Sequence, residues 1–117
     1  MKKNTKKHDK ELEFIILVGP PGVGKTTWRE DNIPEDYIII SRDGVMKTLC
    51  DSPEDYNKCW ESANQKEVDK EFNRLLNDTI KQKKSLVIDR TNMGSKKRKE
   101  FLKKANDDYY KIAVVFD

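Results

Sequence analysis

The chain has 117 residues, which is the size of one small domain. Charged residues make up 38% of it and hydrophobic residues 35%, so the core must be concentrated in a few segments. No apolar run is long enough to span a membrane, and the N-terminus lacks the hydrophobic segment of a signal peptide. One histidine and two cysteines, without a CxxC motif, argue against zinc sites, histidine-based catalysis and a disulfide scaffold.

Charge is unevenly distributed along the chain. Residues 1–13 carry five lysines against three acids, and we predict that they form a disordered basic tail. Residues 28–79 carry thirteen acids against seven bases, whereas residues 81–104 carry ten bases against two acids. Such a basic segment is typical either of a surface that binds polyanions or of a lysine-rich helix face that keeps a small protein soluble. The charge pattern alone does not decide between the two.

Four short apolar runs alternate with helical patterns. The runs are Phe14–Val18, Tyr37–Ile40, Leu86–Ile88 and Ile112–Phe116. Their continuous hydrophobicity is typical of strands buried on both faces of a parallel sheet. The expected helices follow Lys25, follow Asp43, cover residues 53–83 as one helix or as two joined near Ser62, and follow a capping Ser95. The order predicts an α/β fold with a mostly parallel sheet of about four strands.

The most specific motif is a phosphate-binding loop. Residues 19–26 read GPPGVGKT and fit the pattern G-x-x-x-x-G-K-[ST], after the first predicted strand and before a helix. Glycines let backbone N–H groups approach phosphate oxygens, and the helix N-terminus adds the positive end of its dipole. Lys25 would reach the β- and γ-phosphates, and the Thr26 hydroxyl would bind Mg²⁺. The motif predicts a nucleoside triphosphate site that comprises Gly19, Gly22, Val23, Gly24, Lys25, Thr26 and Thr27.

The loop does not name a reaction, because ATPases, GTPases, motors and small-molecule kinases all use it. The Asn-Lys-x-Asp segment typical of guanine recognition is absent from the sequence, and no strand ends in the Asp-Glu pair typical of motor ATPases. These two absences favour phosphoryl transfer to a bound acceptor over a hydrolysis-driven machine.

Polar residues follow the second predicted strand, at the edge where a parallel sheet collects functional groups. This segment reads Ser41-Arg42-Asp43-Gly44. Asp43 is a candidate to accept the proton of an attacking hydroxyl; alternatively, it caps the following helix or pairs with Arg42. Arg42 is a candidate substrate contact or a salt-bridge partner of a neighbouring acid.

A second polar segment, Asp89-Arg90-Thr91-Asn92, follows the third predicted strand. Asp89 is a candidate Mg²⁺ ligand, directly or through water; alternatively, it is a structural partner of Thr26 or Lys25. Arg90, like Arg42, is expected either to steady substrate charge or to pair with a nearby acid.

In this order, the loop, Ile40-Ser41-Arg42-Asp43 and Ile88-Asp89-Arg90-Thr91-Asn92 resemble the kinase domain of polynucleotide 5′-hydroxyl kinases, over roughly residues 14–117. The resemblance implies a P-loop NTPase-type three-layer sandwich and ATP- and Mg²⁺-dependent phosphoryl transfer to a 5′-OH end of DNA or RNA. The roles it implies are catalysis for Asp43 and Lys25, Mg²⁺ binding for Thr26 and Asp89, and substrate binding for Arg42, Arg90, Asn92 and Arg98. A non-catalytic nucleotide-binding module and a small-molecule kinase remain the alternatives.

Two departures from the family pattern affect these expectations. Met46, next to Lys47, stands where some members place an arginine that contacts the acceptor phosphate, so acceptor choice is expected to differ. The family pattern continues beyond the strand at Ile112–Phe116 into a lid helix with arginines, so we expect residues 14–117 to be a C-terminally incomplete P-loop kinase domain. We further expect a cytoplasmic protein, or a viral protein in the host cytoplasm, with no membrane partner.

Overall fold

A computed structural model describes residues 11–20, 24–50, 54–90, 94–105 and 107–116. In chain order the elements are β1 (Leu12–Val18), α1 (Lys25–Asn32), β2 (Ile38–Ser41), α2 (Arg42–Leu49), α3 (Tyr56–Ser62), α4 (Gln65–Lys81), β3 (Leu86–Arg90), α5 (Ser95–Lys104) and β4 (Tyr109–Val115). All strand pairs are parallel, and the strand order is β2-β3-β1-β4. The expected α/β fold with a parallel sheet of four strands is confirmed.

The sheet separates two hydrophobic cores, which makes three layers. One core contains Phe14 and Ile16 from β1 and packs against α2, α4 and α5 through residues such as Met46, Phe72 and Phe101. The opposite core contains Ile15 and Leu17 and is covered by α1 and the residues that follow it. Because successive side chains of a strand point to opposite faces, a strand between two cores must be apolar throughout.

The expectation that each strand is buried on both faces holds for the two central strands and fails for the two edge strands. The middle of β1 and the first three residues of β3 are buried on both faces. The edge strands β2 and β4 expose alternate side chains, and Ile39 is 38% exposed and Val115 62%. An apolar run therefore predicted a strand correctly at all four places, but it did not predict whether that strand lies at the centre or at an edge.

Several boundaries differ from the sequence-based expectation. β1 begins at Leu12, so Leu12 and Glu13 belong to the sheet and not to a basic tail. Residues 1–10 lie outside the described part of the chain. β4 begins at Tyr109, whose ring packs edge-to-face on Phe14 and whose hydroxyl donates a hydrogen bond to the Lys84 carbonyl.

The helix boundaries are set by side-chain caps. The segment predicted as one helix or two is two helices, because Asn64 caps α4 by accepting hydrogen bonds from the backbone N–H groups of Lys66 and Glu67. The expectation that Ser95 caps the last helix is wrong: Ser95 is the first residue of α5, and Gly94 is its N-cap without a side-chain hydrogen bond.

The two cysteines, Cys50 and Cys59, form a disulfide that joins the end of α2 to α3. Within the described residues, no helix is both long enough and apolar enough to cross a membrane.

A buried polar cluster lies at the amino ends of the strands. Glu13 is 2% exposed; its carboxylate accepts a hydrogen bond from the Tyr37 hydroxyl, and its backbone N–H donates to the Ser85 hydroxyl at 3.0 Å. Burial, together with the neighbouring carboxylate, raises the pKa of the Tyr37 hydroxyl above its usual value. The hydroxyl therefore stays protonated and remains a donor to Glu13 at neutral pH.

We expect Tyr37→Phe to lower the free energy of unfolding by about 1–3 kcal/mol, because it removes a donor from a buried carboxylate. Urea denaturation followed by circular dichroism measures the difference. Tyr110→Phe is the matched control, since Tyr110 is 42% exposed on β4, and we expect it to change stability by no more than about 0.5 kcal/mol. Equal losses in the two variants would contradict a specific role for the Tyr37–Glu13 hydrogen bond.

Candidate active site

An open cleft of about 990 Å³ lies between the start of α1 and the carboxyl ends of β2 and β3. Five cationic side chains and two carboxylates line it, together with small and polar residues. The lining is Gly24, Lys25, Thr26, Thr27, Arg29, Ser41, Arg42, Asp43, Gly44, Lys47, Trp60, Gln65, Asp89 and Arg90. Because positive charge is in excess, the cleft favours a polyanionic ligand.

The described part of the phosphate-binding loop requires glycine at two positions. Gly19 has φ +156°, and a Cβ there would lie 2.9 Å from the Cβ of Phe116. Gly24 is the N-cap of α1 at φ +94°, and among the described residues no side chain caps this helix; the first N–H groups of such a helix can bind an anionic ligand. Gly22 and Val23 lie outside the described residues.

Lys25, from the phosphate-binding loop, contacts Asp89 of the motif at the end of β3. Its side chain is nearly buried, and its Nζ lies 2.9 Å from the Gly19 carbonyl and 3.2 Å from Oδ1 of Asp89. The structural alternative for Asp89, pairing with Lys25, is therefore present in this structure. This pairing is compatible with Mg²⁺ binding, because a carboxylate has two oxygens that can each accept more than one contact.

Arg29 is a site residue that the sequence analysis missed. Its Nε lies 3.5 Å from Oδ2 of Asp89, and its Nη2 donates to the Thr26 hydroxyl at 3.5 Å. The two predicted Mg²⁺ ligands thus lie within the span of one guanidinium group. A hydroxyl and a carboxylate beside each other are oxygen donors of the kind that Mg²⁺ prefers, so these residues fit the metal. The available signal was spacing, since Arg29 stands one helical turn after Thr26.

Asp43 lies in the first turn of α2, exposed to the cleft. The cap of this helix is Ser41, whose hydroxyl accepts a hydrogen bond from the Gly44 N–H at 3.0 Å, so Asp43 does not provide the N-cap. Ser41 is paired with Asp89 in the parallel ladder between β2 and β3. The register therefore brings the second and third motifs to the same edge of the sheet.

The two arginines of these motifs differ in their contacts. Arg42 pairs with Asp69 and Gln65 of α4, as the salt-bridge alternative predicted. The Arg90 guanidinium lies over the rings of Phe72 and Phe101, at 5.2 Å and 5.6 Å from their centroids.

Arg90 is held as a partly buried cation. Burial lowers its pKa, and the positive charge of Arg42 lowers it further. Its Nε has no hydrogen-bond partner within the described residues. Since both arginines line the cleft, an anion there would relieve their mutual repulsion.

The remaining predicted residues are placed as follows. Thr26 and Thr27 line the cleft. Arg98 lies on α5, and its buried Nε has no partner within the described residues; it is not among the residues that line the cleft. Asn92 falls outside the described part of the chain. Met46 is buried in the core, whereas its neighbour Lys47 lines the cleft.

Comparisons with known proteins agree with this architecture. A family model described as an AAA domain matches residues 14–117. The chain is 26% identical to transcription factor bHLH140 of Arabidopsis thaliana over 110 residues, which cover 93% of this chain and 11% of that protein. It shares its fold with a chain in the structure of a Pnkp1/Rnl/Hen1 complex, with a TM-score of 0.68 and 21% identity over 99% of this chain and 38% of that chain.

This chain therefore spans about a tenth of the curated relative and well under half of the solved chain. The resemblance inferred from the three strand-end motifs is confirmed at the level of family and fold. The chain belongs to the AAA domain family.

Proposed function

We propose that the cleft transfers the γ-phosphoryl group of ATP to the 5′-hydroxyl end of DNA or RNA. One observation carries the proposal: the strand order and register gather Lys25, Asp43 and Asp89, one from each of the three motifs, around a single cleft. The family supports nucleotide-dependent, kinase-like chemistry. The polynucleotide acceptor rests on the motif resemblance and on the excess of positive charge in the cleft.

The proposed reaction assigns a separate task to each residue. Asp43 accepts the proton of the 5′-hydroxyl while the hydroxyl oxygen forms a bond to the γ-phosphorus. The bond between that phosphorus and the oxygen that bridges it to the β-phosphate breaks, and ADP leaves. Lys25 contacts the β- and γ-phosphates and stabilises the charge that develops on them. Thr26 and Asp89 would hold Mg²⁺, which when bound neutralises charge on the triphosphate oxygens.

The other cations favour a nucleic acid as the second substrate. Arg42 and Arg90 lie at the carboxyl ends of β2 and β3, on the side of the cleft that carries Asp43. Exposed lysine side chains of α5 add further positive charge, as in Lys99 and Lys103. An acceptor with several phosphates would neutralise more of this charge than a sugar or a nucleoside would.

Incubation of the purified chain with γ-labelled ATP, Mg²⁺ and a panel of acceptors tests the proposal. We expect label on DNA or RNA oligonucleotides that carry a 5′-hydroxyl and none on the same oligonucleotides with a 5′-phosphate. Nucleosides and sugars complete the panel. Label on these small molecules but not on oligonucleotides would identify a small-molecule kinase instead. ATP binding without transfer to any acceptor would identify a non-catalytic nucleotide-binding module.

A further inference from the structure

Trp60 is an exposed aromatic residue that lines the cleft. Trp60 lies on α3 and is 36% exposed. The exposed large hydrophobic residues of the described chain are Ile39, Leu49, Trp60, Tyr110 and Val115, and among them Trp60 alone lines the cleft. An indole exposed in a charged cleft is a suitable surface for an aromatic ligand.

The surroundings of Trp60 match the parts of a nucleotide. Lys47 lines the same cleft and stands four residues after Asp43 on α2, so the two side chains share one face of that helix. This side of the cleft therefore offers a carboxylate for a hydroxyl, an ammonium group for a phosphate and an indole for a nucleobase.

The position of Trp60 relative to α2 is fixed by a covalent link. Cys59, the residue directly before Trp60, is joined by the disulfide to Cys50, which directly follows the last residue of α2. Cys59 is also buried in the core. The backbone that carries the indole is thus tied to the helix that carries Asp43 and Lys47, as a preformed binding wall requires.

We propose that Trp60 stacks on the first nucleobase of an unpaired 5′ end and thereby selects single-stranded nucleic acid as the acceptor. This inference rests on the proposed function, because it assigns the acceptor side of the same cleft. Every base has a π-face, so stacking on an indole is tolerant of sequence. A cleft of about 990 Å³ is at the upper end for small-molecule pockets. It has room for a donor nucleotide with one terminal nucleotide. A terminal base that stacks on the indole must leave its own base pair, so a duplex end would first have to open, at a cost of about a few kcal/mol.

Binding without ATP tests the inference independently of catalysis. The probe is a 5′-OH oligonucleotide labelled at its 3′ end, compared with the same oligonucleotide carrying an abasic first residue. We expect Trp60→Ala to raise the Kd of the first probe about 5- to 150-fold and to leave that of the abasic probe unchanged. Trp60→Phe keeps an aromatic ring, so its affinity for the first probe should fall less than that of Trp60→Ala. Tyr110→Ala removes an aromatic residue of similar exposure outside the cleft and should match the unmodified protein.

A second measurement, of tryptophan fluorescence, uses a protein in which Trp60 is unchanged. The sequence contains two tryptophans, so Trp28→Phe leaves Trp60 as the sole source of tryptophan fluorescence. We expect the single-stranded probe to quench this fluorescence and the abasic probe to leave it unchanged.

The inference is overturned if Trp60→Ala weakens both probes equally, if it weakens neither, or if a blunt duplex binds as tightly as the single strand. Phosphoryl transfer that does not depend on Trp60 would leave the proposed function standing without the stacking role. Stacking without transfer to any acceptor would remove the kinase proposal and leave a binding site for single strands.

Discussion

Asp43→Asn is expected to lower the rate of phosphoryl transfer by about 10²- to 10⁴-fold, because an amide of the same shape cannot accept the proton of the attacking hydroxyl. Nucleotide affinity should be unchanged, since the triphosphate site is formed by the loop and α1. The fold should also be kept: Ser41 caps α2, and losing one acid from a first helical turn costs about 0.3–1 kcal/mol.

Single-turnover transfer to a 5′-OH oligonucleotide measures this effect, with nucleotide affinity measured separately by calorimetry. Glu67→Gln is a close control, because Glu67 occupies the first turn of α4 as Asp43 occupies that of α2, but does not line the cleft. We expect the control to transfer phosphate at the unmodified rate. A rate for Asp43→Asn equal to that of the control would rule out Asp43 as the general base.

The four strands and the strand-loop-helix unit follow from local sequence, and they were predicted correctly. A run of apolar residues between two helical patterns indicates a strand whatever the rest of the chain does, and the loop motif specifies a strand-loop-helix unit over a few consecutive residues. In a parallel sheet the carboxyl ends of all strands lie on one edge. The grouping of Asp43 and Asp89 with Lys25 therefore followed from the motif positions before any contact was known.

The contacts of Arg42 and Arg90 and the position of Trp60 depend on tertiary packing and had no local signal. Arg42 pairs with Asp69, which lies 27 residues further along the chain on α4, and Arg90 lies over Phe72 and Phe101, which come from two different helices. Sequence reasoning left salt bridges open for both arginines, but it could not identify the partners. Trp60 was missed because an aromatic residue in a short helix is most often a core residue, and only the folded chain shows that this residue lines the cleft.

The burial of the edge strands also could not be predicted from local sequence. The hydrophobicity of β2 and β4 predicted burial on both faces, but the strand order places both at the margins of the sheet. Strand order is a property of the whole topology, because β3 is inserted between β2 and β1 although it follows both in sequence. A pattern read over five residues carries no information on that insertion.

Lys25→Met is expected to weaken nucleotide binding by about 10- to 100-fold, since it removes a charged donor to the triphosphate. The phosphoryl-transfer rate should fall as well, because the same ammonium group stabilises the charge that develops in the transition state. Calorimetric titration with ATP and Mg²⁺ measures the affinity.

The variant should remain folded for a reason specific to this site. Asp89 pairs with both Lys25 and Arg29, so removal of the lysine charge leaves the carboxylate with a cationic partner and does not create an isolated buried charge. The methionine also keeps most of the apolar stem of Lys25 in its nearly buried position.

Lys97→Met is the control for the loss of one lysine charge. Lys97 is about half exposed on α5 and pairs with Glu100 at 3.3 Å, away from the residues that line the cleft. We expect it to bind nucleotide as the unmodified protein does. If Lys25→Met is folded and binds ATP as tightly as Lys97→Met, the loop does not hold the triphosphate through this lysine. The loop would then have to bind a different ligand, because the proposed triphosphate site and the proposed transfer step both depend on Lys25 contacting the β- and γ-phosphates.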